Sequence, residues 1–369
     1  MIQARIAKRF APGPESSAFD LDVDFEAREG VTVLFGASGA GKTLTLNSIA
    51  GFARPDAGRI LLDDRILFDG DSGVSLRPQD RGCGYVFQSY ALFPHMTLRE
   101  NLDFAADRLP RLERHRRVNG MLDRFRIAEF AGRYPHEVSG GQKQRCSIAR
   151  ALIVQPRALL LDEPARGLDA PLREDLYDLL RGLREESREE FRLPILLVTH
   201  DLEAAFAVGD EMLVFHAGRI PQRGKPRAVL SQPASESVAR LFGYDTFLQA
   251  EIVKLNPAQD SSTVRFLDRE FHGPYFPGSL IGDRLTLCVR PDELRLADGP
   301  GANRALAAAA NVAERPGGVR LRASMSGNVS VTVDVPRAQW ETGKDRKEQY
   351  IEFPPQSLRT LKPGGASKP

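Results

Sequence analysis

The sequence predicts an α/β domain built on a parallel sheet, followed by a small β-barrel domain of OB-like type. Strand-like and helix-like runs alternate up to about residue 243, as in layered sheets that bind a ligand at the carboxyl ends of their strands. Beyond Gly243 the runs become short, rich in β-formers and separated by Gly, Pro, Asp and Asn, which is typical of small barrels. We therefore expect one domain over 1–243, a second over 244–361 and a disordered tail over 362–369.

The individual elements follow from hydrophobic patterning along the chain. In the first domain, strands are expected over 31–35, 58–62, 84–87, 158–161, 195–199 and 212–215. Helices are expected over 44–50, 98–106, 141–154 and 171–184, with a helical subdomain over about 89–157. In the second domain, strands are expected over 250–255, 262–267, 284–289 and 329–335. The alanine run over 305–310 predicts either a short helix or a poorly ordered bridge.

Composition limits the classes of protein to which the chain can belong. Of its 369 residues, 42% are hydrophobic and 27% are charged, as in ordinary soluble proteins. A net charge of +2 gives no basic footprint, so no nucleic-acid partner is expected. Cys83, Cys146 and Cys288 are scattered, which predicts reduced thiols in a cytosolic protein. We expect neither a signal peptide nor a membrane-spanning segment, so action at a membrane would need a partner chain.

The strongest motif is a glycine-rich loop between the first predicted strand and the first predicted helix of the α/β domain. Glycines in such a loop let successive backbone N–H groups and the positive end of the helix face a phosphate. The lysine can reach the β- and γ-phosphates, and the hydroxyl of the last residue can bind Mg²⁺. We therefore expect the chain to bind a nucleoside triphosphate. The loop has the complete G-x-x-x-x-G-K-[ST] pattern and consists of Gly36, Ala37, Ser38, Gly39, Ala40, Gly41, Lys42 and Thr43.

Four polar side chains at predicted strand ends can complete a hydrolytic site around the phosphates. Asp162 ends an apolar strand and can reach a metal ion opposite Thr43. Glu163 follows it and can accept a proton from the attacking water. Gln88 can bind the metal or orient water without adding negative charge, and His200 can hydrogen-bond the γ-phosphate. Each of them alone also fits a structural role, such as capping of the next helix by the two acids.

A second candidate anion site precedes the predicted helix 141–154. Ser139, Gly140, Gly141 and Gln142 place a hydroxyl group and two glycines ahead of a long helix that starts near 143. One chain would not use two such sites on one phosphate. The motif is therefore predicted to cap the γ-phosphate of a nucleotide held by another subunit, and the alternative is an ordinary Ser-Gly helix start.

In this order, the motifs resemble those of the ATP-binding cassette ATPases, the nucleotide-hydrolysing subunits of ABC transporters. The resemblance covers about the first two-thirds of the chain. It implies an ATPase with a P-loop fold of the ABC type that uses ATP and Mg²⁺. It also implies a head-to-tail homodimer in which 36–43 of one subunit face 139–142 of the other. An aromatic residue usually stacks on the adenine in this family, and Phe10 and Phe19 are candidates for it.

The resemblance also implies a role for each polar side chain. Glu163 would be the catalytic base, Asp162 and Gln88 would serve Mg²⁺, and His200 would sense the γ-phosphate.

Two segments depart from the family pattern. Val138 replaces the usual leucine before the Ser-Gly-Gly-Gln motif, a mild change at an apolar position. Residues 165–169 read Ala-Arg-Gly-Leu-Asp where the family commonly has Ser-Ala-Leu-Asp. The final Asp169 is retained, but Arg166 and Gly167 could alter how the two active sites communicate.

Three features favour an importer of the resembled family. The chain has one nucleotide-binding unit and no fused membrane segment, which implies a separate permease. Exposed Tyr90, Leu92 and Phe93 lie where a permease coupling helix docks in importer ATPases; the alternative is that they pack inside the helical subdomain. A β-barrel like that expected after Gly243 is common in importers. The resemblance also implies a solute-binding protein outside the membrane and places this chain at the cytoplasmic face of the inner or plasma membrane.

Within the importers, the segment 58–88 is most similar to molybdate-transporter ATPases. The turn Ala302-Asn303-Arg304 resembles, in altered order, the Ala-Arg-Asn turn of molybdate-binding barrels. The expected function is therefore ATP-driven uptake of molybdate or a related oxyanion. The alternatives are uptake of sulfate, ferric ion, a polyamine or a sugar, a C-terminal barrel that senses or stores an oxyanion, or a cassette ATPase outside transport.

Overall fold

The computed structural model describes residues 1–13, 17–189, 193–343, 346 and 348–361 of the chain. Their contacts divide the chain into two units, Met1–Pro226 and Arg227–Pro369. The predicted tail over 362–369 lies outside the described residues.

The first unit contains two sheets and the helices between their strands. Its strands are β1 (Ile2–Phe10), β2 (Phe19–Ala27), β3 (Gly30–Gly36), β4 (Ala57–Leu62), β5 (Arg65–Asp69), β6 (Val74–Ser75), β7 (Cys83–Val86), β8 (Ala158–Asp162), β9 (Pro194–Thr199), β10 (Glu211–His216) and β11 (Arg219–Gly224). Its helices are α1 (Lys42–Ala50), α2 (Leu98–Ala105), α3 (Arg111–Arg124), α4 (Gly140–Leu152), α5 (Ala170–Glu189) and α6 (Leu202–Val208).

The central sheet brings the predicted site motifs to one edge. Its strand order is β11-β10-β3-β9-β8-β7, with β11 antiparallel and the other strands parallel. Strands β3, β8 and β9 are buried along their whole length, as expected for parallel strands covered on both faces. Phe35 pairs with Thr199 and Asp162 with Val198, so the carboxyl ends of three strands lie side by side. The glycine-rich loop, the two acids and His200 follow these ends.

An antiparallel sheet with the order β2-β1-β4-β5-β6 completes the first unit. Strand β2 alternates buried Leu21, Val23 and Phe25 with exposed acidic residues, the period-two pattern of a half-buried strand. One hydrophobic cluster joins this sheet to α1 and the central sheet. Helices α2, α3 and α4 fall between β7 and β8, inside the segment predicted as a helical subdomain.

The second unit consists mainly of antiparallel strands. Its helices are α7 (Pro226–Ser231), α8 (Glu236–Leu241) and α9 (Arg337–Gly343). Its strands are β12 (Thr246–Asn256), β13 (Ser261–Phe266), β14 (Arg269–Pro274), β15 (Arg284–Val289), β16 (Arg295–Ala297), β17 (Arg304–Arg315), β18 (Gly318–Met325), β19 (Val329–Pro336), β20 (Glu348–Glu352) and β21 (Arg359–Thr360). Two five-stranded sheets, β14-β13-β12-β15-β21 and β16-β20-β17-β18-β19, share one core. This curled β unit is consistent with the predicted barrel.

The alanine run corrects one expectation, because residues 305–310 lie in strand β17 and form neither a helix nor a bridge. Strand β17 pairs with β18 on one side and β20 on the other. Ala305 and Ala307 are buried, whereas Leu306 and Ala308 are exposed. Pairing on both sides therefore overrides the high helix propensity of alanine.

The contact division falls at Pro226, before the boundary that was predicted at Gly243. Helix α8 and the segment that follows it belong to the second unit. The Tyr244 hydroxyl donates to the Leu230 carbonyl at 3.0 Å, and the Tyr244 amide donates to the Ala239 carbonyl at 3.2 Å. These bonds attach the helices to the start of the β unit, a link that hydrophobic patterning does not reveal.

Candidate nucleotide-binding and hydrolysis site

The glycine-rich loop connects β3 to α1 in a conformation that requires glycine. Gly41, the residue before α1, has a φ of +104°, and a Cβ there would lie 2.6 Å from a methyl carbon of Leu21. Lys42 is only 4% exposed, and its ammonium donates to the carbonyls of Gly36 and Ala37, both at 2.7 Å. Burial lowers the pKa of Lys42, while the charges of Glu163 and Asp162 oppose that shift. The loop thus holds a buried cation against its own carbonyls.

Thr43 and Asp162 meet directly across the end of the sheet. The Thr43 hydroxyl donates to Asp162 Oδ1 at 2.9 Å, and Asp162 is 5% exposed. Burial raises the pKa of the Asp162 carboxyl, although its hydrogen bonds from Thr43 and Tyr85 oppose that shift. Tyr85 Oη lies 3.3 Å from Asp162 Oδ2 and 2.9 Å from Asn47 Oδ1. Tyr85 and Asn47 were not predicted as site residues, because a tyrosine in a strand and an asparagine in a helix carry no motif.

The donor atoms around this pair fit a magnesium ion. A cavity of about 440 Å³ is lined by Thr43, Asn47, Gln88 and Asp162 together with Tyr85 and neighbouring side chains. Hydroxyl, carboxylate and amide oxygens are the hard ligands that Mg²⁺ accepts, usually from one or two carboxylates with phosphate oxygens and water in the remaining positions. Thr43, Gln88 and Asp162 could therefore hold the ion beside the loop.

Glu163 is held in an unusual backbone conformation beside this cavity. Its φ is +46°, which non-glycine residues seldom adopt, and its N–H donates to the Val198 carbonyl at 3.1 Å. The side chain is 12% exposed. Glu163 Oε1 lies 3.5 Å from His200 Nδ1, and Oε2 lies 3.3 Å from Arg166 Nη1. The structure therefore brings the candidate base and His200 together.

Gln88 contacts the same arginine. With its amide oxygen toward the guanidinium, Gln88 accepts hydrogen bonds from Arg166 Nη1 and from Arg166 Nε at 2.9 Å. Arg166 thus links Gln88 to Glu163. The sequence marks Arg166 as a departure from the family pattern, but its two partners depend on a turn that the sequence does not reveal.

The Ser-Gly-Gly-Gln motif lies elsewhere, at the start of α4. Ser139 is the N-cap: its hydroxyl accepts from the Gln142 amide at 3.3 Å, and its own N–H donates to Gln142 Oε1 at 2.9 Å. The helix begins at Gly140, earlier than the predicted start near 143. A Cβ on Gly140 would lie 3.4 Å from Leu168, so the motif also contacts the segment that follows Glu163. These residues are not among those that line the cavity beside Thr43.

The segment predicted to dock a permease differs from expectation, since Tyr90, Leu92 and Phe93 are half-buried and not exposed. Phe93 packs edge-on against Phe104 with ring centroids 4.8 Å apart. Tyr90 and Ala91 both have left-handed backbones, with φ of 63° and 49°. Contact with Phe104 therefore accounts for the partial burial of Phe93.

Arg150 of α4 holds the same segment. Its guanidinium donates to the Ala91 carbonyl at 2.8 Å and to the Tyr90 carbonyl at 3.1 Å. These bonds connect the helix that begins at the Ser-Gly-Gly-Gln motif to the turn that follows Gln88.

Both candidates for adenine stacking lie on the antiparallel sheet. Phe10 is 43% exposed, and its ring centroid lies 6.5 Å from that of Phe19. A Cβ on Gly41 would lie 3.3 Å from the Phe19 ring, so Phe19 contacts the glycine-rich loop directly.

The turn that resembles a molybdate-binding turn has structural hydrogen bonds in the second unit. Both Asn303 amide protons are donated to backbone carbonyls, of His272 at 2.7 Å and of Phe353 at 2.8 Å. Its side-chain oxygen accepts from the His272 amide at 2.8 Å. The Asn303 side chain therefore fastens the start of β17 to its neighbours.

Comparison with known proteins relates the chain to a family. Residues 20–166 match the family described as ABC transporter. The chain is 41% identical over 219 residues to the molybdenum import ATP-binding protein ModC of Rhodospirillum rubrum, a match that covers 59% of this chain and 58% of that protein. It is 37% identical over 294 residues to the spermidine/putrescine import ATP-binding protein PotA of Nitrosospira multiformis, covering 79% of this chain and 77% of that protein.

The fold agrees with a solved cassette. The dimeric structure of the ATP-binding cassette MJ0796 in a post-hydrolysis state, bound to ADP and Pi, has a TM-score of 0.52 and 29% identity. The match covers 62% of the chain described here and 99% of the MJ0796 chain. No helix among the described residues is both long and apolar enough to cross a membrane. The glycine-rich loop and the acids Asp162 and Glu163 agree with the match to PotA over most of both lengths. The chain therefore belongs to the ABC transporter family of ATP-binding cassette proteins.

Proposed function

We propose that this chain is the ATP-hydrolysing subunit of an importer that takes up molybdate or a related oxyanion. The observation that carries the proposal is the junction at the ends of β3 and β8, where Thr43 of the glycine-rich loop bonds Asp162 at 2.9 Å and Glu163 follows. The import functions in the names of ModC and PotA support coupling to uptake. The chain would act as a homodimer on separate permease subunits at the cytoplasmic face of the membrane, with a solute-binding protein on the other side.

In the proposed mechanism, the loop binds the triphosphate first. Lys42 would exchange the carbonyls of Gly36 and Ala37 for β- and γ-phosphate oxygens, while the backbone N–H groups of 36–43 face the same oxygens. Thr43, Asp162 and Gln88 would hold Mg²⁺. The bound ion would neutralise phosphate charge.

The chemical step needs a positioned water. Its oxygen attacks the γ-phosphorus, the bond to the bridging oxygen breaks, and ADP and phosphate are the products. Glu163 would accept the proton of the water, and His200, 3.5 Å from Glu163, would hydrogen-bond the γ-phosphate. The left-handed backbone of Glu163 holds its carboxylate at this position. Positioning and charge stabilisation therefore supply most of the rate.

The second subunit would complete each site. Ser139 caps α4, and the first turn of that helix carries the positive end of a helix dipole. In a head-to-tail dimer they would cap the γ-phosphate held by the partner. The dimeric MJ0796 cassette supports this arrangement. Loss of the γ-phosphate would remove the link and open the dimer, and the segment from Tyr90 to Phe93 would transmit that motion to the permease.

The choice of solute rests on the relatives. Molybdate is favoured by the 41% identity to ModC. A polyamine is the second candidate, because the PotA match covers 79% of this chain, against 59% for ModC, and so extends into the second unit.

The proposal is tested by deleting the coding gene in its source organism and measuring uptake of molybdate and of spermidine. We expect loss of molybdate uptake with spermidine uptake retained. The wild-type gene should restore uptake, and the gene carrying Glu163→Gln should not. Loss of spermidine uptake alone would identify a polyamine, and not molybdate, as the solute. Uptake restored by the gene carrying Glu163→Gln would contradict ATP-driven import.

A further inference from the structure

We propose that Arg166 is a positioning residue that ties Gln88 to Glu163 in the resting subunit and competes with Mg²⁺ for Gln88 when nucleotide is bound. The inference rests on the proposed function, since it concerns how that hydrolytic site is assembled. Arg166 lies in the segment 165–169, which departs from the pattern of the resembled family.

The contacts of Arg166 show a bridge between two parts of the site. Its Nη1 lies 3.3 Å from Glu163 Oε2. With the Gln88 amide oxygen turned toward the guanidinium, that oxygen accepts from Nε at 2.9 Å and from Nη1. A guanidinium is a planar fork whose donors can bind two acceptors at once. The candidate metal ligand and the candidate base are thereby joined through one side chain.

The backbone around Arg166 places the guanidinium in this position. The Arg166 amide donates to the Glu163 carbonyl at 3.1 Å, which closes a turn that begins at the left-handed Glu163. Gly167 follows with a φ of +77°, and a Cβ there would meet no atom within 4 Å. The Arg166 side chain is itself 58% exposed. The guanidinium is therefore held by its two partners and not by packing, so it can leave without disturbing a core.

Charge sets the bridge and the metal ion in competition with each other. The Gln88 oxygen that would face Mg²⁺ is the oxygen that accepts from Arg166. Gln88 also lines the cavity with Thr43 and Asp162, where the ion would be bound. A guanidinium beside that cavity would repel a divalent cation, and both would compete for one acceptor. Binding of Mg²⁺ with nucleotide therefore competes with the bonds of Arg166 to Gln88.

The bridge is connected to the surface that would meet the second subunit. The Leu168 amide donates to the Ala165 carbonyl at 3.2 Å, so the turn continues past Arg166. Leu168 in turn lies against Gly140 of the Ser-Gly-Gly-Gln motif. Movement of Arg166 and movement of that motif therefore act on one short segment, and the bridge restrains both until nucleotide arrives.

The test measures binding of a non-hydrolysable ATP analogue to the full chain while Mg²⁺ is titrated, and again in EDTA. Arg166→Ala should lower the Mg²⁺ concentration at half-maximal binding by about three- to tenfold, the effect of removing one charged hydrogen-bonded competitor. Affinity in EDTA should stay at the wild-type value. Arg166→Lys keeps the charge but not the planar fork of donors. Its Mg²⁺ concentration at half-maximal binding should lie between those of the wild type and Arg166→Ala. The matched control is Arg181→Ala, which removes an exposed arginine paired with Asp178 on α5.

The outcomes separate the bridge from the proposed function. A wild-type chain that binds no analogue at any Mg²⁺ concentration would contradict the proposed function itself. A wild-type chain that binds normally, with Arg166→Ala and Arg166→Lys at the wild-type midpoint or above it, would overturn the bridge alone. An equal shift in Arg181→Ala would also overturn it, because the effect would then be one of net charge. If Arg166→Ala does not fold, the Arg166→Lys midpoint decides.

Discussion

The position of one carboxylate governs the proposed chemistry at the residue scale. Glu163 is 12% exposed and held by a left-handed backbone that its hydrogen bond to the Val198 carbonyl helps to fix. Strain of this kind persists where the surrounding structure imposes it and is concentrated at functional sites. The buried strand β8 carries Asp162, and the next residue turns out of the sheet toward His200. A single peptide therefore separates the candidate metal ligand from the candidate base.

Replacing Glu163 with glutamine should separate ATP binding from turnover. Glutamine keeps the size of the side chain and an acceptor oxygen but cannot take up a proton. We expect the rate of phosphate release by the purified chain to fall by about 10²- to 10⁴-fold, with unchanged ATP affinity. Glu203→Gln, an exposed change in the first turn of α6, serves as the control and should retain activity. Wild-type turnover in Glu163→Gln would exclude this residue as the base.

The sequence singles out residues that carry motifs and does not reveal those that only contact them. The loop, Asp162, Glu163 and His200 could be placed because each follows an apolar strand. Tyr85 was missed because its bond to Asp162 crosses between neighbouring strands. The partners of Arg166 were missed because they depend on the φ of Glu163. Non-local contacts of this kind leave no local pattern in the chain.

At the element scale, the end of α1 depends on a buried arginine. Arg81 is 1% exposed, and its Nη1 donates to the carbonyls of Ser48 and Ile49 at 2.6 and 2.9 Å. Its Nε donates to the Leu76 carbonyl at 2.9 Å. A cation at a helix C-terminus satisfies the last carbonyls and interacts favourably with the dipole. Helix α1 begins at the glycine-rich loop, so Arg81 supports the phosphate site from its far end.

Removing this side chain should destabilise the first unit. We expect Arg81→Ala to lower the free energy of unfolding by about 2–4 kcal/mol, since buried carbonyls lose their donors and a cavity remains. Arg77→Ala removes an exposed partner of Asp80 and should change the free energy of unfolding by less than about 0.5 kcal/mol. Urea titration followed by the helical circular dichroism signal measures both. Equal stability of the two variants would refute the capping role.

Elements with a clear hydrophobic pattern could be predicted from the sequence, whereas elements that depend on strand pairing or tertiary packing could not. The strands of the central sheet are continuous apolar runs, so β3, β8 and β9 were predicted within a residue or two of their ends. Strand β17 was missed because its alanines give no strand signal, and its pairing with β18 and β20 decides the structure. The predicted exposure of Tyr90, Leu92 and Phe93 was wrong because exposure depends on tertiary packing.

At the scale of the whole molecule, we predict a site divided between two copies of the chain. Within one subunit, the cavity beside Thr43 is lined by residues of the loop, β7 and β8, and the Ser139 motif is absent from that lining. We therefore expect a phosphate bound by the loop to receive its second set of donors from a partner. The helix that begins at Gly140 also reaches the turn at Tyr90 through Arg150, which would carry the dimer signal toward a permease.

The central claim is tested most directly by the mass of the Glu163→Gln chain in solution, measured by light scattering with ATP and Mg²⁺. With ATP, we expect a dimer with twice the mass of one subunit, which is 40.8 kDa. When ADP replaces ATP, we expect the mass to return to 40.8 kDa, because the γ-phosphate link is missing. Lys42→Ala in the same background should remain monomeric with either nucleotide. A chain that binds ATP yet stays at 40.8 kDa would contradict a site completed by a second subunit.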